Sequence, residues 1–424
     1  MIIDVSVPDI SVFAGAVGSF GSDITIFVGM TLVYAFSQFI ILRYIKHHGQ
    51  SVKSHMLKGI HHLIAIIQII LVTILLLIIV QMVLFSSYNI ILFKLTVWIS
   101  CATSIVLLGI LARKFISWFK SNKNFGIFLY SVAIIALCLN VAFVILTVTS
   151  SLGRFGKDEY ITPYVGKVAN VALLSLNRLL NLGYVITSIL SFILFWIATV
   201  SLLYYHSSKF GKVKYWILVS IPLVYFLSAF QTYFLSLFNE YRITDPILFG
   251  IAYTLFFSAT KPVGGLLFGM VFWSVGRSVN SNSIRDYMMV AAYGVMLLLS
   301  SNQITGLILA HYPPFGLPTI SFLGLACYLV LVGIYSSAIS IANDANLRRS
   351  MKQTMIKESG ILDKIATSQV QSDIQARITT IAEHFSKESK QMYESTGIES
   401  SMEEEDIKKY LKMTLQEIEE SKKN

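Results

Sequence analysis

Acidic side chains are missing from the apolar parts of this sequence. Eight Asp and Glu fall before residue 343, and none lies inside a long hydrophobic run. That absence removes paired intramembrane aspartates, and it removes the carboxylate counter-ion that a retinal Schiff base on a lysine would need. Charge of both signs is sparse, at 13% of residues against 55% hydrophobic, where soluble domains carry about 25% charged residues. The three cysteines, Cys101, Cys138 and Cys327, all sit in apolar runs. They exclude a disulfide framework and read as small packing residues. No GxxxxGK[ST] phosphate loop, HExxH or GxSxG occurs, so neither an enzyme nor a cofactor is expected. The first 23 residues hold acids and no basic residue, unlike the positive start of a signal peptide.

What the chain does have is apolar length. A helix of about twenty apolar residues crosses a ~30 Å hydrocarbon core. Such runs lie near 24–42, 60–85, 92–112, 125–149, 182–205, 216–238, 247–276, 288–309 and 319–341. The expected fold is all-α, a polytopic transmembrane helix bundle of about nine spans over residues 24–342. An extracytoplasmic segment, 1–23, precedes it and a cytoplasmic helical tail, 343–424, follows. Charge sets the orientation. With the N-terminus outside, the inner connections hold 13 basic residues against one acid, Asp286, while seven of the eight acids fall outside. That satisfies the positive-inside rule with N-out and C-in.

The net charge of +10 divides into +12 for 1–342 and −2 for 343–424. An excess of this kind points to a plasma membrane whose inner face presents anionic headgroups, not to nucleic acid. In the long outer connection Val165, Val168, Ala172 and Leu176 recur at helical spacing, giving an interfacial helix near 163–180.

One run holds a cation. FFSATKPVGGLLFG, 256–269, places Lys261 at the middle of 247–276, with Pro262 next to it. A central lysine costs roughly 2.5–3.5 kcal/mol on insertion scales. Pro262 lacks an N–H and frees a carbonyl one turn earlier, so the span is expected to break there and to lie inside the bundle. A re-entrant hairpin split at the same point is the alternative, and it would put Arg277 and Arg285 outside. Gly265 and Gly269 form a GxxxG that lets a neighbouring helix approach closely.

With no acid at hand, three states of Lys261 stay open. It is neutral after burial, or solvated by freed carbonyls and the amides of Asn302, Gln303, Asn140, Gln68 or Gln231, or paired with an anionic ligand at the half-helix N-terminus after Pro262. The candidate ligand site is therefore Lys261, Pro262, Gly264, Gly265, Asn302 and Gln303, for a small anionic ligand and without a metal. Five of the eight histidines, His47, His48, His55, His61 and His62, fall within sixteen residues. A metal site or a pH sensor competes there with a basic loop at the headgroups, which is the preferred reading.

In the tail, Ile374, Ile378, Ile381, Phe385 and Met392 follow a partial heptad. Gly397 interrupts it, and Ser401 with Glu404 makes a capping box for a last helix. Such helices suit a homo-oligomer or a cytoplasmic protein partner. The segment HYPPFGLPTISFLGLACYLVLVGIYSSAISIANDANLRRSMK, 311–352, resembles a group of uncharacterised multi-pass membrane proteins of thaumarchaea. The resemblance covers about a tenth of the chain. It implies an archaeal plasma membrane and a last span running into a helix with Arg348 and Arg349, and it brings no activity. Two functions follow from the residues: a sensor or receptor that couples a bundle site to a partner-docking tail in signal transduction, or a transporter or channel for a small anionic solute that uses Lys261.

Overall fold

In an apolar solvent the backbone of a long Leu, Ile, Val and Phe run finds no partner but itself, and helices result. The computed structural model describes residues 20–48, 55–121, 123–152, 160–162, 178–204, 212–220, 260–277, 282–301 and 312–343, with isolated residues and short stretches at 222–223, 237–249 and 365–388. The helices are α1 (Phe20–His48), α2 (His55–Phe85), α3 (Ile90–Ser121), α4 (Phe125–Leu152), α5 (Arg178–Tyr204), α6 (Lys212–Ser220), α7 (Thr260–Arg277), α8 (Asn282–Ser301), α9 (Leu317–Ser321) and α10 (Leu323–Asn343). Two short strands, β1 (Tyr88–Asn89) and β2 (Tyr160–Ile161), pair antiparallel.

The architecture is all-α, and six helical segments are long and apolar enough to cross a membrane: Ile24–Lys46, Leu57–Phe85, Ile90–Ser121, Phe125–Ser150, Leu182–Ser201 and Leu317–Ala342. The expected spans at 216–238, 247–276 and 288–309 are covered in part by α6, α7 and α8. Their remaining residues lie outside those described, as do 1–19, the interfacial stretch 163–177, Arg348, Arg349, Phe385, Met392, Gly397 and the capping box.

Local chemistry sets the turns. At the end of the bundle rich in Lys and Arg, the basic end, Asn124 Oδ1 accepts the N–H groups of Gly126 and Ile127 at 2.9 and 3.3 Å. Asparagine thus caps α4. At the far end, Asn89 Oδ1 accepts the Ile91 N–H at 2.8 Å, and Gln81 Oε1 accepts the Asn89 N–H at 2.9 Å. The strand pair sits over this end, in the register Tyr88↔Ile161 and Asn89↔Tyr160.

Tyr88 is fully buried and stacks on Tyr312, with ring centroids 6.1 Å apart. Burial holds the Tyr88 hydroxyl well above the ordinary tyrosine range, and Tyr312 pushes it the same way. The folded state therefore favours the protonated phenol. Its stabilisation is complete below about pH 10 and falls as the pH rises further, because the unfolded chain loses that proton first. Thermal unfolding in nanodiscs should drop above about pH 10 in the wild type, with a shallower drop in Tyr88→Phe.

The last span is the axis of the bundle. Every residue from Pro313 to Ala338 is buried. Gly316, at φ 87°, takes a left-handed conformation that glycine adopts without strain, and Pro318 lies in the first turn of α9. Phe322 tightens one turn between α9 and α10, its N–H bonding the Thr319 carbonyl at 3.2 Å. The segment is apolar on all sides and rich in Gly, Ala and Ser, the composition of a helix enclosed by other helices.

Close packing around it depends on missing side chains. A Cβ added at Gly294 of α8 would lie 2.6 Å from the Val330 backbone nitrogen, and one at Gly333 of α10 would lie 2.6 Å from the Tyr287 carbonyl oxygen. Gly265 and Gly269 of α7 meet α8 in the same manner, at Leu299, Met296 and Ala292. The GxxxG thus brings α7 against α8.

Candidate functional site

Polar groups inside the bundle collect around the axis. Tyr34 and Thr319 share a hydrogen bond of 3.1 Å, and Gln38 Nε2 donates to Ser321 Oγ at 3.2 Å, joining α1 to α9. Ser100 Oγ of α3 donates to the Ile320 carbonyl at 2.5 Å. On α2, His61 Nδ1 and the Tyr328 hydroxyl hydrogen bond at 2.9 Å. Together with Tyr88 on Tyr312 at the far end, that contact makes α2 antiparallel to the last span, so Gln68, seven residues and about 10 Å further along, falls near the level of Ser321.

Gln68 is 1% exposed, and neither its amide oxygen nor its amide nitrogen has a partner among the described residues. Gln38 Oε1 is unpaired in the same way. A buried amide without partners costs about 1–3 kcal/mol for each lost group. Hence Gln68→Leu is expected to raise the unfolding temperature of the protein in nanodiscs. An unchanged or lower temperature would mean that a polar guest meets the amide.

The residues singled out from the sequence separate into several groups. Lys261 and Pro262 occupy the first turn of the described helix α7, which runs unbroken to Arg277. Their side chains, residues 251–259, Asn302, Gln303 and Gln231 lie outside the described residues. The space beside Gly264 is taken by the Phe192 ring, 2.7 Å from where a Cβ would stand, and that beside Gly265 by Leu299. Asn140 is committed elsewhere, its Nδ2 donating to the Tyr184 carbonyl at 2.9 Å and to Thr187 Oγ1 at 3.0 Å, which ties α4 to α5. His62 Nδ1 donates to the Lys58 carbonyl at 2.9 Å. Among the described residues no three His, Cys, Asp or Glu come together as a metal site.

A second junction lies at the basic end and has little signature in the sequence. The Lys114 ammonium of α3 stands 4.8 Å from the centre of the Tyr335 ring of α10, within cation–π range. One turn further along α3, Trp118 is 1% exposed and packs edge-on to Phe115 at 5.1 Å. Its indole N–H donates to Gln369 Oε1 of the tail at 2.8 Å. Ile365, Ser368 and Gln369 are buried, and Ile365 joins the main core. A tryptophan flanked by lysines usually marks a membrane interface, so nothing in SWFKSNK pointed to a partner 251 residues away. Compared with protein-family models, with curated proteins and with solved structures, the chain matches none.

Proposed function

We infer that the protein is a multi-pass membrane sensor whose bundle passes a change in packing to its C-terminal tail. The observation that carries this reading is the contact chain from axis to tail: Tyr335 on α10, Lys114 and Trp118 on one face of α3, then Gln369. Because α9 and α10 are enclosed by their neighbours, a ligand or membrane state that shifts any neighbour acts on them too. The tail, on this reading cytoplasmic and carrying Ile374, Ile378 and Ile381, then presents or withholds a surface for a protein partner.

Gly324→Ala tests the coupling. It crowds Thr103 Cγ2, 3.2 Å from the new Cβ, at a point eleven residues, about 16 Å, from Tyr335. Hydrogen exchange at residues 365–371 should change severalfold along with that of α10. Tail amides that keep their wild-type rates while α10 loosens would sink the reading.

Transport of a small anion is the second reading, supported by the unpaired amides of Gln38 and Gln68 deep in the bundle. Its site would include Lys261, Pro262, Gly264, Gly265, Asn302 and Gln303. Anion uptake into proteoliposomes that survives deletion of 353–424 and disappears in Lys261→Met would replace the sensor by a transporter.

A further inference from the structure

We propose that the cleft between α1 and α2 at the basic end binds the phosphate headgroup of an anionic phospholipid. The cleft has a volume of about 1070 Å³, and its lining includes Arg43, Lys46, His61 and His62 on the polar side and Phe39, Ile40 and Ile69 on the apolar side. None of its ten lining residues is acidic. Arg43 and Lys46 are exposed and make no ion pair among the described residues. Asp286 of α8, on a neighbouring element, lies within electrostatic reach of Tyr44, which also lines the cleft.

The chemistry is that of a phosphate seat. A guanidinium offers a planar fork that matches two phosphate oxygens, and Lys46 adds a point charge. His62 holds its Nδ1–H on the Lys58 carbonyl; in that tautomer its Nε2 is an acceptor, so the donors of the seat are Arg43 and Lys46. The His61 ring is fixed through Nδ1 by Tyr328, so the headgroup would sit one side chain away from the axis helix α10.

A free phosphate would need only the cationic mouth. The apolar wall continues to Ile69, eight residues and about 12 Å beyond His61, and Phe39, Ile40 and Ile69 are each about half exposed. Such a wall, beside cations between two membrane helices, suits an acyl chain attached to the headgroup. This site stands independently of the sensor reading, since it rests on a different pair of helices from the tail junction.

The full-length protein in nanodiscs provides the test, with Arg43→Gln/Lys46→Gln compared with the wild type. Arg113→Gln/Lys120→Gln, which removes two charges at the same end outside the cleft, is the control. Lipid retained on release from discs of phosphatidylglycerol and phosphatidylcholine is counted by native mass spectrometry. The wild type and the control should keep phosphatidylglycerol in preference. The cleft variant should lose that preference by roughly thirtyfold, the worth of two headgroup cations. Equal loss in the control pair would reduce the effect to general surface charge and overturn the site. Wild-type protein that is stabilised by millimolar inorganic phosphate in phosphatidylcholine discs, with no preference for phosphatidylglycerol, would assign the seat to a free anion and overturn the lipid.

Discussion

Gly333→Ala is expected to cost the bundle about 2–3 kcal/mol, near the top of the range for overpacking. The new methyl would stand 2.6 Å from the Tyr287 carbonyl oxygen and 2.7 Å from the Ala291 Cα. Those are backbone atoms of α8, which cannot swing aside as a side chain tip can. Either α8 and α10 separate, which opens the closest interface of the axis, or α10 rotates and disturbs its contacts with α2 and α3. Thermal unfolding in nanodiscs measures the loss. Gly109→Ala on α3 is the matched comparison, since a Cβ there meets nothing within 4 Å. That change should be neutral or stabilise by about 0.5–1 kcal/mol through helix propensity. Similar behaviour of the two variants would mean that α8 and α10 do not pack at the described distance.

Trp118→Ala is expected to have an effect at least as large, about 3–5 kcal/mol for a large buried aromatic, and to act mainly on the tail. It removes the ring packed on Phe115 and the donor to Gln369 Oε1. Limited proteolysis should then cut near 365–371 in the variant while the bundle stays intact. Trp118→Phe separates the two contributions, keeping most of the ring and dropping only the N–H, with a loss of about 1 kcal/mol. A tail equally resistant to cleavage in wild type and Trp118→Ala would show that Gln369 and Ile365 hold their places by other contacts.

These two experiments bear on function through the same axis. Gly333 lies where α10 is closest to α8, and Trp118 where α3 meets the tail, with Tyr335 and Lys114 between them.

The sequence by itself determined the class of the molecule. Apolar length and the absence of acid from the runs are local properties, and insertion into a bilayer responds to local apolarity, so six of the expected spans appear as membrane-length helices. It also marked Gly265 and Gly269, four apart, as a face for close helix approach, while the tertiary structure supplied α8 as the helix that meets it. Only the tertiary structure decided which helix lies at the centre. The last span is less apolar than α2, and its position is set by shape: Gly294 and Gly333 are single glycines on different helices that matter only when brought together. The tail contact is non-local in the same sense. Nothing near Trp118 or Gln369 encodes a partner 251 residues away, because an indole N–H and an amide oxygen become specific only when burial removes the water that would otherwise satisfy both.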